Sequence, residues 1–264
     1  MTSRGPLAFS SLTLAIALPF WGLGAFVKQP ILPGLPPSAL MVLAPAAAAS
    51  VLVARSGGRR AVFGLLKQAF DWRSMTSWSW LVAFGTMPAA MLLSAIWLEA
   101  SGVDLPLPQI GIGEFVILFA LFIIAATAEE IGWTGYAVRP LVDAFGLLAA
   151  GATLGGFAVF WHIVPLLQAG RSSDWIAWWA VGTFARRIVI LWLFIHGGHS
   201  VFSTSLFHAM SNVSWMMFPV MGSHCDPIST AAILFCLAAG LVVHDTLCVV
   251  RRNSNGTKDR EAEV

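Results

Sequence analysis

Apolar runs of about 20 residues, separated by short clusters of breakers and charges, set the pattern of this chain. At 1.5 Å per residue, about 20 helical residues cross the ~30 Å hydrocarbon core of a bilayer. The pattern predicts helical spans over 7–27, 38–54, 78–99, 113–139, 146–168, 175–195, 201–219 and 229–250, eight in all. Breakers mark the joints: Pro30, Pro33, Pro36 and Pro37 after the first span, Gly57 and Gly58 after the second, Pro106 and Pro108 before the fourth, and Gly197 and Gly198 before the seventh. A membrane barrel would instead alternate over segments of roughly 10 residues. The predicted fold is all-α, a polytopic transmembrane helix bundle of about eight spans. It forms a single domain over 1–252, with no internal repeat and no soluble domain.

Composition agrees with an integral membrane protein. Of 264 residues, 58% are hydrophobic and 11% charged, and the mean hydropathy is +0.79. The first run, Leu7 to Val27, is too long for a signal-peptide core and lacks a small-residue cleavage site, so it is read as a retained span. A net charge of +2, with basic residues in short clusters, points away from nucleic acid and towards the lipid bilayer as the partner. Cys225, Cys236 and Cys248 have no paired spacing, so no disulfide framework or thiolate metal site is expected.

Cytoplasmic loops carry an excess of Lys and Arg. Arg55, Arg59, Arg60, Lys67 and Arg73 put the loop after the second span inside. Arg4, Arg139, Arg251, Arg252, Lys258 and Arg260 then fall on the same side, and Lys28 and Arg171 on the other. Both termini are therefore expected in the cytoplasm. Segment 59–72 carries Val62, Leu65, Leu66, Ala69 and Phe70 at helical spacing among basic residues. It reads either as an amphipathic helix on the inner surface or as a loop helix packed on the bundle. Residues 253–264 are polar and are expected to form a disordered cytoplasmic tail.

The chemistry has to lie among the few polar residues inside the spans: Glu129, Glu130, His162, Arg186, Arg187, His208, Asn212 and the pair His244 and Asp245. A charge at the bilayer centre costs about 2.5–3.5 kcal/mol on insertion scales, so intramembrane carboxylates face a bundle interior or a wet cavity. Glu129 and Glu130 lie roughly 15 Å from Arg139 along a continuous helix; His208 and Asn212 lie roughly 12 and 18 Å from Ser200. These depths overlap. His162 lies roughly 24 Å from Gly146, so a tilt or a late helix start is needed to bring it level. Gly151, Gly155 and Gly156 allow close approach to a neighbour, for which the preceding span is the natural candidate.

His208 and Asn212, four apart, share one helix face, from which both can donate to one oxygen. Such donors stabilise an oxyanion, and losing one costs about 2.7–4 kcal/mol of transition-state stabilisation. A carboxylate and a histidine on other helices can activate a water. Adjacent glutamates diverge by about 100° on a helix, so only one faces the cavity squarely. The spacing does not say which.

Glu129-Glu130 with the following Gly132-Trp133 and Gly135-Tyr136, then Phe157, Phe160, Trp161 and His162, then His208 and Asn212, resemble the three motifs of the CAAX prenyl protease and bacteriocin-processing family of intramembrane glutamic proteases. The resemblance covers about residues 110–219, the expected catalytic core. It implies that Glu129 and His162 activate the attacking water, that His208 and Asn212 form the oxyanion hole, and that Glu130 is a supporting carboxyl. It further implies no cofactor and no metal, a peptide or membrane-protein substrate, and an active site reached from the cytoplasmic side. One position departs from the pattern: Thr134 stands where the family usually has an arginine, and Arg186 or Arg187 of the sixth span is the available substitute.

Four readings stand beside this one. They are a zinc protease held by Glu129, His162 and His208, a non-proteolytic immunity or scaffold member of the same family, a proton-coupled transporter, and structural roles for the individual residues. In that last reading Arg186 and Arg187 snorkel, His244 and Asp245 are interfacial, and His196 and His199 are loop histidines without a third metal ligand.

Overall fold

Among the described residues, eight α-helices form in the order the apolar pattern predicts: α1 (Arg4–Phe26), α2 (Ala44–Lys67), α3 (Ser77–Ala100), α4 (Ile112–Glu130), α5 (Arg139–Gln168), α6 (Ser173–His196), α7 (Val201–Met216) and α8 (Pro227–Ala262). The computed structural model describes residues 4–107 and 111–262, with side chains over 5–107 and 111–247. Among the described residues there is no strand. Pro108, Cys248 and the side chains of Arg4, Arg251, Arg252, Lys258 and Arg260 lie outside what is described. The described Cys225 and Cys236 are free.

Among the described residues, six stretches are long and apolar enough to cross a membrane. One of them, Ile112–Gln168, is 57 residues long and contains both α4 and α5. At 1.5 Å per residue it measures roughly 85 Å, enough for two crossings. Leu81, Leu92, Ile117, Ile124 and Phe235 are each more than half exposed, which identifies the surface that lipid covers. The chain is an integral membrane protein.

α7 differs from the rest. Its 16 residues span roughly 24 Å, short of the hydrocarbon core. It packs between α3 and α4, and nearly every residue is buried. It can therefore be polar. Ser203, Thr204, Ser205 and Ser211 turn their hydroxyls back onto carbonyls of the preceding turn, so no polar group meets lipid. Its N-terminus is anchored from outside: the Asp71 carboxylate accepts from the backbone N–H of Val201 at 3.1 Å and Phe202 at 3.0 Å, and from the Ser200 hydroxyl at 2.8 Å.

Two glycines with positive φ break helices. α2 breaks at Gly58 (φ 64°), so segment 59–67 leaves the membrane axis. Its Leu65, with the following Ala69, is buried, while Phe63 and Phe70 stay exposed. α5 breaks at Gly146 (φ 77°), which frees the part bearing His162 from the direction of α4. The glycine stripe on α5 does not meet the preceding span. A side chain at Gly151 or Gly155 would run into Ile188 or Phe184, so α5 approaches α6. The backbone of α8 is helical to Ala262, where a disordered tail was expected over 253–264. A helix already nucleated extends at little cost through good formers such as Lys258, Arg260 and Glu261.

Candidate functional site

The two glutamates end α4 and are followed by a π-helical segment, Ile131–Val138. Such segments redirect side chains and recur at functional sites. Gly132 lets this segment pack closely on α2, because a Cβ there would lie 2.6 Å from the Pro45 backbone. Glu129 lines a large cavity. Glu130 turns into the packed interior and is fully buried.

Glu130 is the centre of a closed network. Its carboxylate accepts from Arg187 Nη1 at 3.0 and 3.1 Å, from His208 Nδ1 at 2.9 Å and from Thr134 Oγ1 at 2.5 Å. A buried charge costs several kcal/mol unless it is paired and its lone pairs are satisfied. Here both conditions hold. Arg187 therefore does not snorkel to an interface, and Thr134 contributes a hydrogen bond to a carboxylate that takes its counter-charge from α6.

Glu129 accepts from Trp133 Nε1 at 3.2 Å. The Trp133 indole packs edge-on against Trp161 at 5.5 Å, and Trp161 packs edge-on against His162 at 4.8 Å. One aromatic column thus positions both the carboxylate and the imidazole. His162 Nδ1 lies 2.8 Å from the Ala158 carbonyl. A carbonyl only accepts, so Nδ1 carries the proton and Nε2 keeps its lone pair. His208 Nδ1 is held by Glu130, which leaves its Nε2 for the cavity. Asn212, one turn along, is half-buried and has no hydrogen-bond partner among the described residues.

Glu129, His162, His208 and Asn212 all line one cavity of about 490 Å³. Its walls are otherwise mainly apolar, with Met87, Met91, Leu121, Phe122 and Leu234 among them. It extends from Glu129 and His208 to loop residues Ile31, Gly34, Arg171 and Cys225 and to Pro227 at the start of α8. These loops lie at the end of the bundle that carries Lys28 and Arg171. The site was expected to open at the end carrying Arg55 to Arg73, and no residue of that loop is among the cavity's lining residues. That end is plugged by the π-helical segment, where Trp133 and Tyr136 pack on Phe9, and by the anchored start of α7. Counting depth from one surface cannot tell which end is plugged.

Among the described residues, no three His, Cys, Asp or Glu side chains group as metal ligands, Glu129, His162 and His208 included. Cys225 is on the cavity wall, but burial pushes its thiol up to about 12, so it is not a thiolate nucleophile. His196 stacks on Trp192 and faces Asp245 at 3.4 Å, and His199 packs on Phe194. Asp245 also accepts from Trp192 Nε1 at 3.1 Å.

Of the two cations the sequence offered in place of an arginine at position 134, Arg187 is the one that pairs with Glu130; Trp133 as the donor to Glu129 was missed. A signal for Arg187 was present. A buried carboxylate lacking the arginine expected at position 134 needs a cation from elsewhere, and few cations lie within the spans.

No protein-family model matches the chain. The chain is similar to the protein named CAAX prenyl protease 2 from Methanococcus maripaludis, with 26% identity over 229 residues, covering 81% of each.

Proposed function

We propose that the chain, like the CAAX prenyl protease 2 to which it is similar, is a membrane protease, an intramembrane endopeptidase whose attacking water is activated by Glu129 and His162. The observation that supports this is the shared cavity wall. A carboxylate, an imidazole with a free Nε2, a second imidazole and an unpartnered carboxamide meet there, contributed by α4, α5 and α7.

In this mechanism, Glu129 takes a proton from a water oriented by His162 Nε2, and the hydroxide oxygen bonds to the scissile carbonyl carbon. The carbonyl π electrons move to oxygen, where the Asn212 amide donates to the oxyanion together with His208 Nε2–H, a donor when His208 is the imidazolium whose Nδ1–H is held by Glu130. Collapse breaks the C–N bond, and the leaving nitrogen receives the proton held by Glu129. The products are an acid and an amine. No metal takes part. Glu130 acts at one remove, holding the His208 ring while Arg187 and Thr134 hold Glu130.

The apolar walls suit a membrane-associated or lipidated peptide or protein, in keeping with the prenyl substrate in the relative's name. The whole of 1–252 is one membrane domain, with its catalytic core at about 110–219. With the arginine-rich loops and both termini in the cytoplasm, the cavity receives substrate at the opposite face.

Purified protein in detergent, given quenched apolar peptides, tests the mechanism. Cleavage should resist a strong chelator and fall by about 10²–10⁴ in Glu129→Gln. Loss of activity on chelation with recovery on adding zinc, or full activity in Glu129→Gln, overturns it.

A further inference from the structure

The mechanism leaves one charged group on the cavity wall unused. Arg186 lines the cavity beside His162 and Thr183. Its Nη2 donates to Thr183 Oγ1 at 3.0 Å, and its guanidinium lies 5.9 Å from the centroid of Trp179. A guanidinium has five N–H donors, and here one neutral hydroxyl and one ring face are its partners. Among the described residues Arg186 forms no ion pair, in contrast to Arg187 on the same helix.

Among the described residues no neighbouring carboxylate forms an ion pair or a hydrogen bond with this guanidinium. The Cys225 thiol on the same wall is kept neutral by its burial. Asp226 is committed to the first turn of α8, where its carboxylate accepts from Ile228 and Ser229 N–H at 3.3 and 2.8 Å. Glu129 is the one carboxylate among the cavity's lining residues; it acts on Arg186 through space, but its hydrogen bond is with Trp133 and none joins it to the guanidinium. Two further polar groups on the wall are donors. The Trp215 indole N–H is buried without a partner, and Arg171 at the loop end stacks on Trp175 at 4.6 Å without an ion pair.

A cation inside a membrane bundle is costly unless something anionic answers it. We propose that Arg186 is a specificity-determining residue that binds a carboxylate of the substrate in the cavity, either the peptide's own C-terminus or an Asp or Glu side chain. Guanidinium and carboxylate match as planar forks, and the Thr183 hydroxyl fixes the fork's orientation. The position fits the reaction. The Trp179 ring that Arg186 overlies also packs on His162, at 5.3 Å. A carboxylate held there is separated from the water-activating imidazole by one aromatic ring, close enough to set which peptide bond is presented.

This proposal rests on the endopeptidase reading, and binding measured without turnover separates the two. Glu129→Gln protein in detergent is titrated with one fluorescent apolar peptide in three forms: free acid, C-terminal amide, and amide carrying one internal Glu. The free acid or the Glu-bearing amide should bind about tenfold more tightly than the plain amide, as expected for one charge-assisted hydrogen-bonded pair, and which one does identifies the source of the carboxylate. Arg186→Gln should abolish the preference and Arg186→Lys should restore part of it, with melting temperatures checking that each variant folds. Equal binding of all three peptides to protein with Arg186 intact overturns the proposal without any variant. So does a preference that survives in Arg186→Gln, or competition confined to anionic lipid. A carboxylate preference in protein that never cleaves would sustain the site while removing the endopeptidase reading.

Discussion

Arg187 on α6 and Glu130 on α4, 57 residues apart in sequence, meet as a buried ion pair at 3.0 Å. The pair lies directly behind His208, so the charge that holds a cavity histidine in place is itself held by a helix outside the three motifs. Removing one partner of such a pair strands the other, at a cost of about 3–5 kcal/mol. Arg187→Gln is therefore expected to lower the melting temperature in detergent and to abolish cleavage. Moving the cation to position 134, in Thr134→Arg with Arg187→Gln, should recover stability and part of the activity. A double variant no better than Arg187→Gln would show that the pair is bystander packing.

Trp133 contributes both a ring to the aromatic column and a donor to Glu129, and the two can be separated. Trp133→Phe keeps an aromatic ring among Phe9, Phe157 and Trp161 but loses the N–H. A hydrogen bond to a charged group is worth about 1.5–3 kcal/mol. If that bond orients Glu129 in the transition state, kcat should drop on the order of tenfold or more while KM stays nearly constant. A rise in KM alone would place Trp133 in the substrate path instead.

The eight helices were legible because lipid imposes a single period and length on whatever crosses it. The motif residues on the cavity wall were legible too, since Glu129, His162, His208 and Asn212 are expensive side chains in apolar surroundings. Partnership was legible only in part. Arg186 and Arg187 were equal candidates for the cation missing at position 134, and the Gly151 and Gly155 stripe packs α5 against α6 where the preceding span looked the natural neighbour. The direction of the cavity was also hidden. It depends on the π-helical turn after Glu130 and on aromatic packing around Trp133, and neither leaves a periodic trace.

Asp71 offers a test of how α7 is positioned. It sits in the loop after α2, yet its carboxylate satisfies two N–H groups of the first turn of α7. His208 lies about two turns further on. Losing a helix cap of this kind costs about 0.5–2 kcal/mol. Asp71→Ala should lower the melting temperature accordingly and reduce kcat through misplacement of His208 and Asn212, and Asp71→Asn should be milder. Unchanged kcat in Asp71→Ala would mean that packing by α3 and α4 alone fixes the helix.

The face at which the cavity ends is decided by charge. Arg55, Arg59, Arg60, Lys67 and Arg73 cluster at one end of the bundle, and Lys28 and Arg171 lie at the other, with the cavity. Because Lys and Arg near span ends are retained in the cytoplasm, substrate should arrive from the extracytoplasmic side. In protein whose three native cysteines are replaced by serine, Ser173→Cys reports on the cavity end and Arg60→Cys on the arginine-rich end, both at exposed positions. A membrane-impermeant maleimide applied to intact cells should label Ser173→Cys at once and Arg60→Cys only after permeabilisation. The reverse pattern would turn the bundle over, place both termini outside and return the cavity to the cytoplasm, leaving the arginine-rich loops in violation of the charge rule.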